Sequence, residues 1–169
     1  MKTQPHPAVA RAAAQARPQA APATATEADF FTALALCLGL PPAETALFRA
    51  STVLTGPAGL PCKVAWQSTD GASGARPEIL LPLSADELIG PDVRQLLTVQ
   101  ALLLSEFGWY LGLSGPGQGE GLLQITPLLW LNQPADVAAA LDVGHLLGAV
   151  VLDRMGQSAG ATALAPHTP

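Results

Sequence analysis

The chain has 169 residues, a length typical of one domain, and 49% of its residues are hydrophobic while 12% are charged. All 13 acidic residues lie between Glu27 and Asp153, where five basic residues accompany them, so this part has a net charge of −8. Because so acidic a domain repels phosphate backbones, nucleic acid is excluded as a partner. Two cysteines are too few for a disulfide scaffold.

Two terminal segments have the composition of disordered chain. Residues 1–26 consist mostly of Ala, Pro, Gln, Thr and Arg, and residues 157–169 are similar. Segments this poor in bulky apolar side chains cannot offset their chain entropy by burial. We therefore predict two disordered tails and one folded domain over residues 27–156. The first tail lacks the apolar core of a secretory signal, which favours a cytoplasmic protein.

The first half of the domain predicts one helix followed by three strands. Thr26 begins a capping sequence, and apolar residues recur at helical spacing over residues 27–38 until Gly39 and two prolines end the helix. Strand-like patterns then cover three segments, residues 47–54, 60–67 and 77–83. Pro82 indicates that the third strand lies at an edge of its sheet, because proline cannot donate to a ladder.

The second half begins with a capping box at residues 84–87 and a helix over residues 92–107. This helix has only a narrow polar stripe. A helix so apolar needs cover on two sides, and since one sheet supplies one side, the pattern predicts a second subunit as the other.

Strands over residues 109–114 and 122–131, joined by a glycine-rich loop, and a helix over residues 135–155 complete the chain. Gly144 and Gly148 share one side of that helix and predict close packing there. The order α-β-β-β-α-β-β-α predicts an α+β fold, with an antiparallel sheet packed against helices.

The residues that carry reactive chemistry are few and scattered. His145 is the one histidine of the domain, and with Asp142 it falls on a predicted solvent-facing stripe of the last helix, so we interpret the two as a surface pair. Both residues also interrupt the apolar run there, which argues against membrane insertion. Cys37 and Cys62 are predicted to be buried free thiols. No spacing indicates a metal site, a cofactor or a catalytic triad, so we predict that the protein is not an enzyme.

From residue 95 the chain reads QLLTVQALLLSEFGWYLGLSGPGQGEGLLQITPLLWLNQPADVAAALDVGHLLGAVVLDRM. A helix rich in leucine and glutamine runs into a short glycine-bearing strand, a glycine-rich loop, a leucine-rich strand and a closing helix. The first helix, FFTALALCLGL, and the three strands after it complete the order. Over about residues 27–156 this pattern resembles the class I chaperones of bacterial type III secretion, the Tir-chaperone family.

The resemblance implies a cytoplasmic homodimer that keeps the N-terminal segment of a secreted effector extended and ready for secretion, without ATP, metal or another cofactor. The secretion apparatus would be a further partner. Membership would place six residues at the dimer interface: Leu96, Val99, Leu102, Leu103, Trp109 and Leu111. Effector binding, by strand addition and apolar contact, is assigned to five residues: Phe31, Leu34, Leu38, Phe48 and Trp66.

Two alternatives remain open from the residues themselves. Five aromatic residues would line a pocket if the domain were a small-ligand-binding or enzymatic module built on its sheet: Trp66, Trp109, Trp130, Phe30 and Phe31. The second alternative is an adaptor outside secretion that binds folded partners. A convergent set of polar groups in a pocket would favour the first alternative.

Overall fold

The computed structural model describes residues 26–56, 58–69, 72–84, 90–115 and 121–155. The predicted tails, apart from Thr26, lie outside these residues, as do the predicted capping box beyond Ser84 and most of the glycine-rich loop. Within the described residues the chain forms helices and a five-stranded antiparallel sheet, so the predicted α+β class is confirmed.

The first helix, α1, spans Glu27–Cys37, close to the predicted bounds. The Thr26 hydroxyl accepts the Asp29 N–H at 3.2 Å, and the Thr26 N–H donates to the Asp29 carboxylate at 3.3 Å. This reciprocal pair satisfies backbone donors that have no partner inside the first turn. Gly39 has a φ of 66° and ends the helix in the left-handed conformation that glycine adopts without strain.

The strand predicted over residues 47–54 is wrong. A short helix, α2, precedes this segment at Pro42–Thr45, residues 46–53 form turns and irregular chain, and only a two-residue strand, β1, follows at Leu54–Thr55. Pro42 lies in the first turn of α2, where backbone N–H groups have no partner within the helix, so its lack of an N–H costs no hydrogen bond. Ser51 has a φ of 64°, which lies outside the extended region, so the alternating pattern before it cannot continue as a strand.

The other strands are β2 at Pro61–Thr69, β3 at Ala72–Ser84, β4 at Trp109–Leu113 and β5 at Leu122–Pro127. Their order across the sheet is β1-β2-β3-β5-β4, and every neighbouring pair is antiparallel. The edge strands are therefore β1 and β4. β5 is shorter than predicted, since it ends at the proline within the predicted segment.

The edge position predicted for the third strand is wrong. β3 is the central strand, and it pairs with β2 on one side and with β5 on the other. Pro82 lies between Leu80 and Ser84, where the register with β5 shifts. The proline therefore interrupts a part of the ladder that is already irregular, which is where a central strand tolerates it.

The second predicted helix has two parts. α3 spans Gly90–Leu102, and a π-helical turn follows at Leu103–Phe107. Gly108, with a φ of 67°, then turns the chain into β4. A π-helical turn inserts an extra residue into the helix, so the side chains after Leu102 are rotated relative to those of α3.

Two glutamine side chains hold α3 in place. The Gln95 side chain donates to the Arg154 carbonyl at the end of the last helix. The Gln100 side chain accepts the Leu111 N–H at 2.5 Å, on the side of β4 that β5 does not cover. α3 therefore lies between the last helix and the free edge of the sheet.

The last helix, α4, spans Pro134–Arg154 and packs on β3 and α1. A Cβ atom on Gly144 would lie 2.7 Å from Ile79 Cγ1, and one on Gly148 would lie 2.7 Å from Leu60 Cδ1. These glycines therefore permit the close approach that their spacing predicts. Among the described residues, α4 alone is long and apolar enough to cross a membrane, a criterion that core helices of soluble proteins also meet.

Two reactive side chains are placed differently from the prediction. His145 is buried with 4% exposure, whereas Asp142 is exposed. Because α4 is apolar around most of its circumference, its sequence does not define one buried face. The imidazole lies against Gly56, where any Cβ atom would overlap it. Cys37 is exposed rather than buried, while Cys62 is buried as predicted, and both thiols are free.

Candidate functional site

The residues predicted to bind an effector lie mostly in the core. Phe31, Leu34 and Phe48 are buried, while Leu38 and Trp66 are partly exposed. The ring centroid of Phe31 lies 5.4 Å from that of Phe48 and 6.1 Å from that of Trp66, both edge to face. In this structure, only Leu38 and Trp66 of this set are accessible to a partner.

The residues predicted at a dimer interface are also mostly inside the subunit. Leu111 is partly buried, and Leu102 is 40% exposed. The buried members are Leu96, Val99, Leu103 and Trp109. The first three recur at helical spacing and form the stripe by which α3 contacts its own core. A second subunit would have to meet a different side of α3.

Outside this buried stripe, exposed apolar side chains of α3, of the π-helical turn and of the end of β4 form a second apolar surface. We call this surface the outer α3–β4 face. Its members are Val93, Leu97, Leu102, Leu104, Phe107 and Leu113. They are six of the fourteen large apolar side chains that are exposed in the described part of the chain. The largest single group of uncovered apolar side chains thus lies on one helix and the strand that follows it.

The outer edge of β2 is uncovered over its second half. β1 pairs only with Pro61 and Cys62 of β2. After them, the Ser51 N–H donates to the Val64 carbonyl at 2.9 Å. Val64 therefore directs its backbone polar groups outward, and by strand alternation Trp66 and Ser68 do the same. No described strand pairs with these two positions on that side, so their N–H groups are available to an added strand.

The polar face of the sheet is occupied by contacts within the subunit. The Lys63 ammonium lies 3.6 Å from the Glu78 carboxylate and donates to the Ser114 hydroxyl at 2.9 Å, and the ion pair is buried. The Arg76 guanidinium lies 4.5 Å from the centroid of the Trp130 ring, within the range of a cation–π contact. Both arrangements join strands or loops of this chain, although Arg76 Nε and Gln124 Oε1 are buried without a hydrogen-bond partner among the described residues.

A cavity of about 400 Å³ opens between the end of α1, β1 and α4. Its apolar wall includes Leu38, Leu54 and Leu141. Its polar lining comprises six residues: Cys37, Glu44, Thr55, Cys62, Asp142 and His145. None of the three tryptophans lines it, so the alternative of a tryptophan-lined ligand site does not correspond to this cavity.

The buried groups of the cavity are uncharged at neutral pH. Burial lowers the pKa of His145 below its ordinary value of 6.5, and the nearby Asp142 carboxylate opposes this in part. Burial also raises the pKa of Cys62 to about 11, which keeps the thiol protonated and unreactive. Among the described residues, no three His, Cys, Asp or Glu side chains lie close enough to hold a metal ion.

Sequence reasoning identified only Leu102 of the outer α3–β4 face and missed the cavity, for different reasons. Both stripes of α3 are leucine-rich, so hydrophobicity alone could not tell the inward one from the outward one; the buried Leu96 and the exposed Leu97 are adjacent. The cavity joins residues of α1, β1 and α4 that no local motif connects.

Comparisons with protein-family models, with curated proteins and with solved structures give no match for this chain.

Proposed function

We propose that the protein is a homodimeric cytoplasmic chaperone of the class I type III secretion kind, which holds the N-terminal segment of a secreted effector in an extended form. The observation that carries this proposal is the outer α3–β4 face. α3 has one apolar stripe in the core and a second one in solvent. A helix and an adjoining strand that expose this many large apolar side chains indicate an interaction site.

A second copy of the chain is the partner that this face fits best. The face consists of one helix and the adjoining edge strand, which Gln100 ties together through the Leu111 N–H. A two-fold axis would bring two identical apolar surfaces into contact, as in most homodimers. Such an interface would cover the second stripe of α3, which is the cover that the sequence predicts.

An extended effector segment is proposed to bind at the open edge of β2. The outward N–H groups of Trp66 and Ser68 would bond to its backbone, and the partly exposed ring of Trp66 would contact its side chains. The buried rings around Trp66, of which Phe30 is 5.0 Å away between centroids, hold that ring in place. Phe31 and Phe48 then contribute to effector binding by supporting Trp66 rather than by contact.

The net charge of the domain indicates which effector segments would bind. With thirteen acidic and five basic residues over residues 27–156, the chaperone attracts a basic segment and repels an acidic one. Hydrogen bonds between the backbone of β2 and the backbone of the effector segment depend little on the side chains of that segment. Charge and a few apolar anchors would therefore select the effector.

Affinity purification of the tagged protein from the cell that encodes it tests the proposal. The retained protein should be a secreted one, held through its N-terminal region, and limited proteolysis of the complex should leave that region bound. Retention only of folded, non-secreted proteins would support the adaptor alternative, and a preparation that retains no protein would contradict the chaperone proposal.

A matched pair of variants tests the binding edge. Ser68→Pro removes an outward N–H that the β2–β3 ladder does not use, so the fold should persist while effector binding is lost. Ser68→Ala keeps the N–H and should bind as the unchanged protein does. If both variants bind the effector equally well, its backbone does not pair at this edge.

A further inference from the structure

Arg76 is a partly buried cation without an ionic partner among the described residues. Alternation along β3 places its side chain on the same face of the sheet as Glu78, whose carboxylate is already paired with Lys63. No ion pair and no side-chain hydrogen bond involves Arg76 itself. The other described arginines are exposed: Arg49, Arg94 and Arg154. Arg76 therefore differs from them, because a charge that is partly removed from water is unfavourable until it is paired.

Two aromatic rings hold the Arg76 guanidinium in place. Its central carbon lies 4.5 Å from the centroid of the Trp130 ring and 5.6 Å from that of the Tyr110 ring. Tyr110 belongs to β4. Trp130 precedes Leu131, which exchanges two backbone hydrogen bonds with Ala75 at 2.7 and 2.8 Å. The nearer ring is thus anchored beside the β3 residue that precedes Arg76, which limits the positions open to the guanidinium.

The outer nitrogens of the guanidinium are free to bind an acceptor. Aromatic rings stack on the flat face of this group, whereas its N–H groups point outward in its plane. Nε is buried without a partner. The two terminal nitrogens also lack a partner but are not among the buried unpartnered atoms, so they reach the surface. Two such nitrogens form a fork that matches both oxygens of a carboxylate.

The surroundings of the guanidinium indicate which anion would bind. Trp130 is 38% exposed, and the two residues before it, Leu128 and Leu129, are 51% and 74% exposed. Apolar surface is therefore accessible beside the charge. The net charge of −8 over residues 27–156 opposes a dianion such as phosphate more strongly than a monoanion. A carboxylate joined to an apolar group meets both conditions.

We propose that Arg76, with Trp130 and Tyr110, binds a carboxylate that adjoins an apolar group. The terminal nitrogens hold the two carboxylate oxygens, and the apolar group contacts Trp130. Arg76 pairs with Ala65 in the sheet, next to the pair formed by Trp66 and Ala75, so it lies on the face opposite to Trp66. The site therefore goes beyond the proposed effector edge and does not depend on it.

Binding of N-acetylleucine and N-acetylleucinamide to the full chain tests the proposal. The two compounds share a shape and differ by one negative charge. Binding is followed through the indole N–H resonance of Trp130, which is identified by its loss in Trp130→Phe. The acid should shift this resonance to saturation with an affinity about tenfold above that of the amide, as a bidentate charge-assisted pair predicts. Equal affinities, or no saturable shift with the acid, would overturn the proposal.

Variants locate the binding at the guanidinium. Arg76→Lys keeps the charge but loses the fork, so its affinity for N-acetylleucine should fall about threefold, and Arg76→Gln should bind the acid no better than the amide. Arg94→Gln removes an equal charge from an exposed position of α3 and should bind as the unchanged chain does. If Arg76→Gln does not fold, Arg76→Lys decides the question. Unchanged affinity in Arg76→Lys would contradict the proposed fork.

Two further ligands identify the source of the carboxylate. A free carboxylic acid and the C-terminus of a polypeptide that ends in an apolar residue share the proposed chemistry. An N-acetylated tetrapeptide of three alanines and a final leucine should bind more tightly than N-acetylleucine if the ligand is a polypeptide end, and equal affinity assigns the site to a small acid. Displacement of N-acetylleucine by an equal concentration of inorganic phosphate would show that the site prefers phosphate, against the proposal.

Discussion

Leu97 is the most exposed member of the outer α3–β4 face, at 64%, and Leu97→Asp is the strongest single test of the proposed dimer. Burial of a whole leucine side chain contributes about 1.5–3 kcal/mol, so covering the exposed part of Leu97 contributes about 1–2 kcal/mol. A two-fold axis places this residue at the interface twice, which doubles the loss to about 2–4 kcal/mol. The Kd of the dimer should therefore increase by a factor between about 30 and several hundred.

Burial of the two introduced carboxylates would add to this loss. Sedimentation velocity over nanomolar to high micromolar concentrations measures the effect. Leu47→Asp is the matched control, because Leu47 is 75% exposed and lies outside the face. The control should associate as the unchanged protein does. A monomeric unchanged protein at micromolar concentration, or the same Kd for both variants, would refute the reasoning.

Three further predictions concern individual side chains. Cys37 should react with a thiol reagent in the native protein, whereas Cys62, with its pKa raised to about 11, should react only after unfolding; equal native labelling would contradict the assigned burial. Gly144→Val should lower the free energy of unfolding by about 1–3 kcal/mol in urea titrations, because its Cβ would lie 2.7 Å from Ile79 Cγ1. Burial lowers the pKa of His145 below its unfolded value of 6.5, so on acidification the unfolded state binds a proton before the folded state does. The free energy of unfolding should therefore fall as the pH drops below about 6.5, and His145→Gln should not show this part of the pH dependence.

The parts of the fold that the sequence predicts well are those set by local chemistry. The capping sequence at Thr26 and the left-handed Gly39 define both ends of α1. Strict alternation places β2 within two residues of its observed bounds. Gly144 and Gly148 indicate a close approach of α4 that the structure contains. In each case a few neighbouring residues determine the conformation.

The errors arise where distant contacts decide the conformation. Alternation over residues 47–54 resembles a strand, but the left-handed Ser51 prevents one. Pro82 is unfavourable in a regular ladder, yet a shift of register with β5 accommodates it in the central strand. His145 is polar in sequence, but the absence of a side chain at Gly56 makes room for its ring. None of these outcomes is visible in a local pattern.

The same distinction explains how much of the candidate site could be predicted. The sequence shows that α3 is apolar on two sides, which leads to the expectation of a second subunit. It does not show that Leu96 and Val99 face the core while Leu97 and Leu104 face solvent, because leucine occurs in both stripes. The sequence also does not predict the open edge of β2, because that edge depends on β1 being only two residues long.

Amide hydrogen exchange at the edge of β2 tests the central claim most directly. Exchange at Trp66 and Ser68 would be measured in the dimer, alone and with the N-terminal fragment of a captured effector. An added strand protects amides at such an edge, so both N–H groups should become slower to exchange while Gln67, whose N–H faces β3, changes little. Saturated effector binding that leaves exchange at Trp66 and Ser68 unchanged would contradict the account.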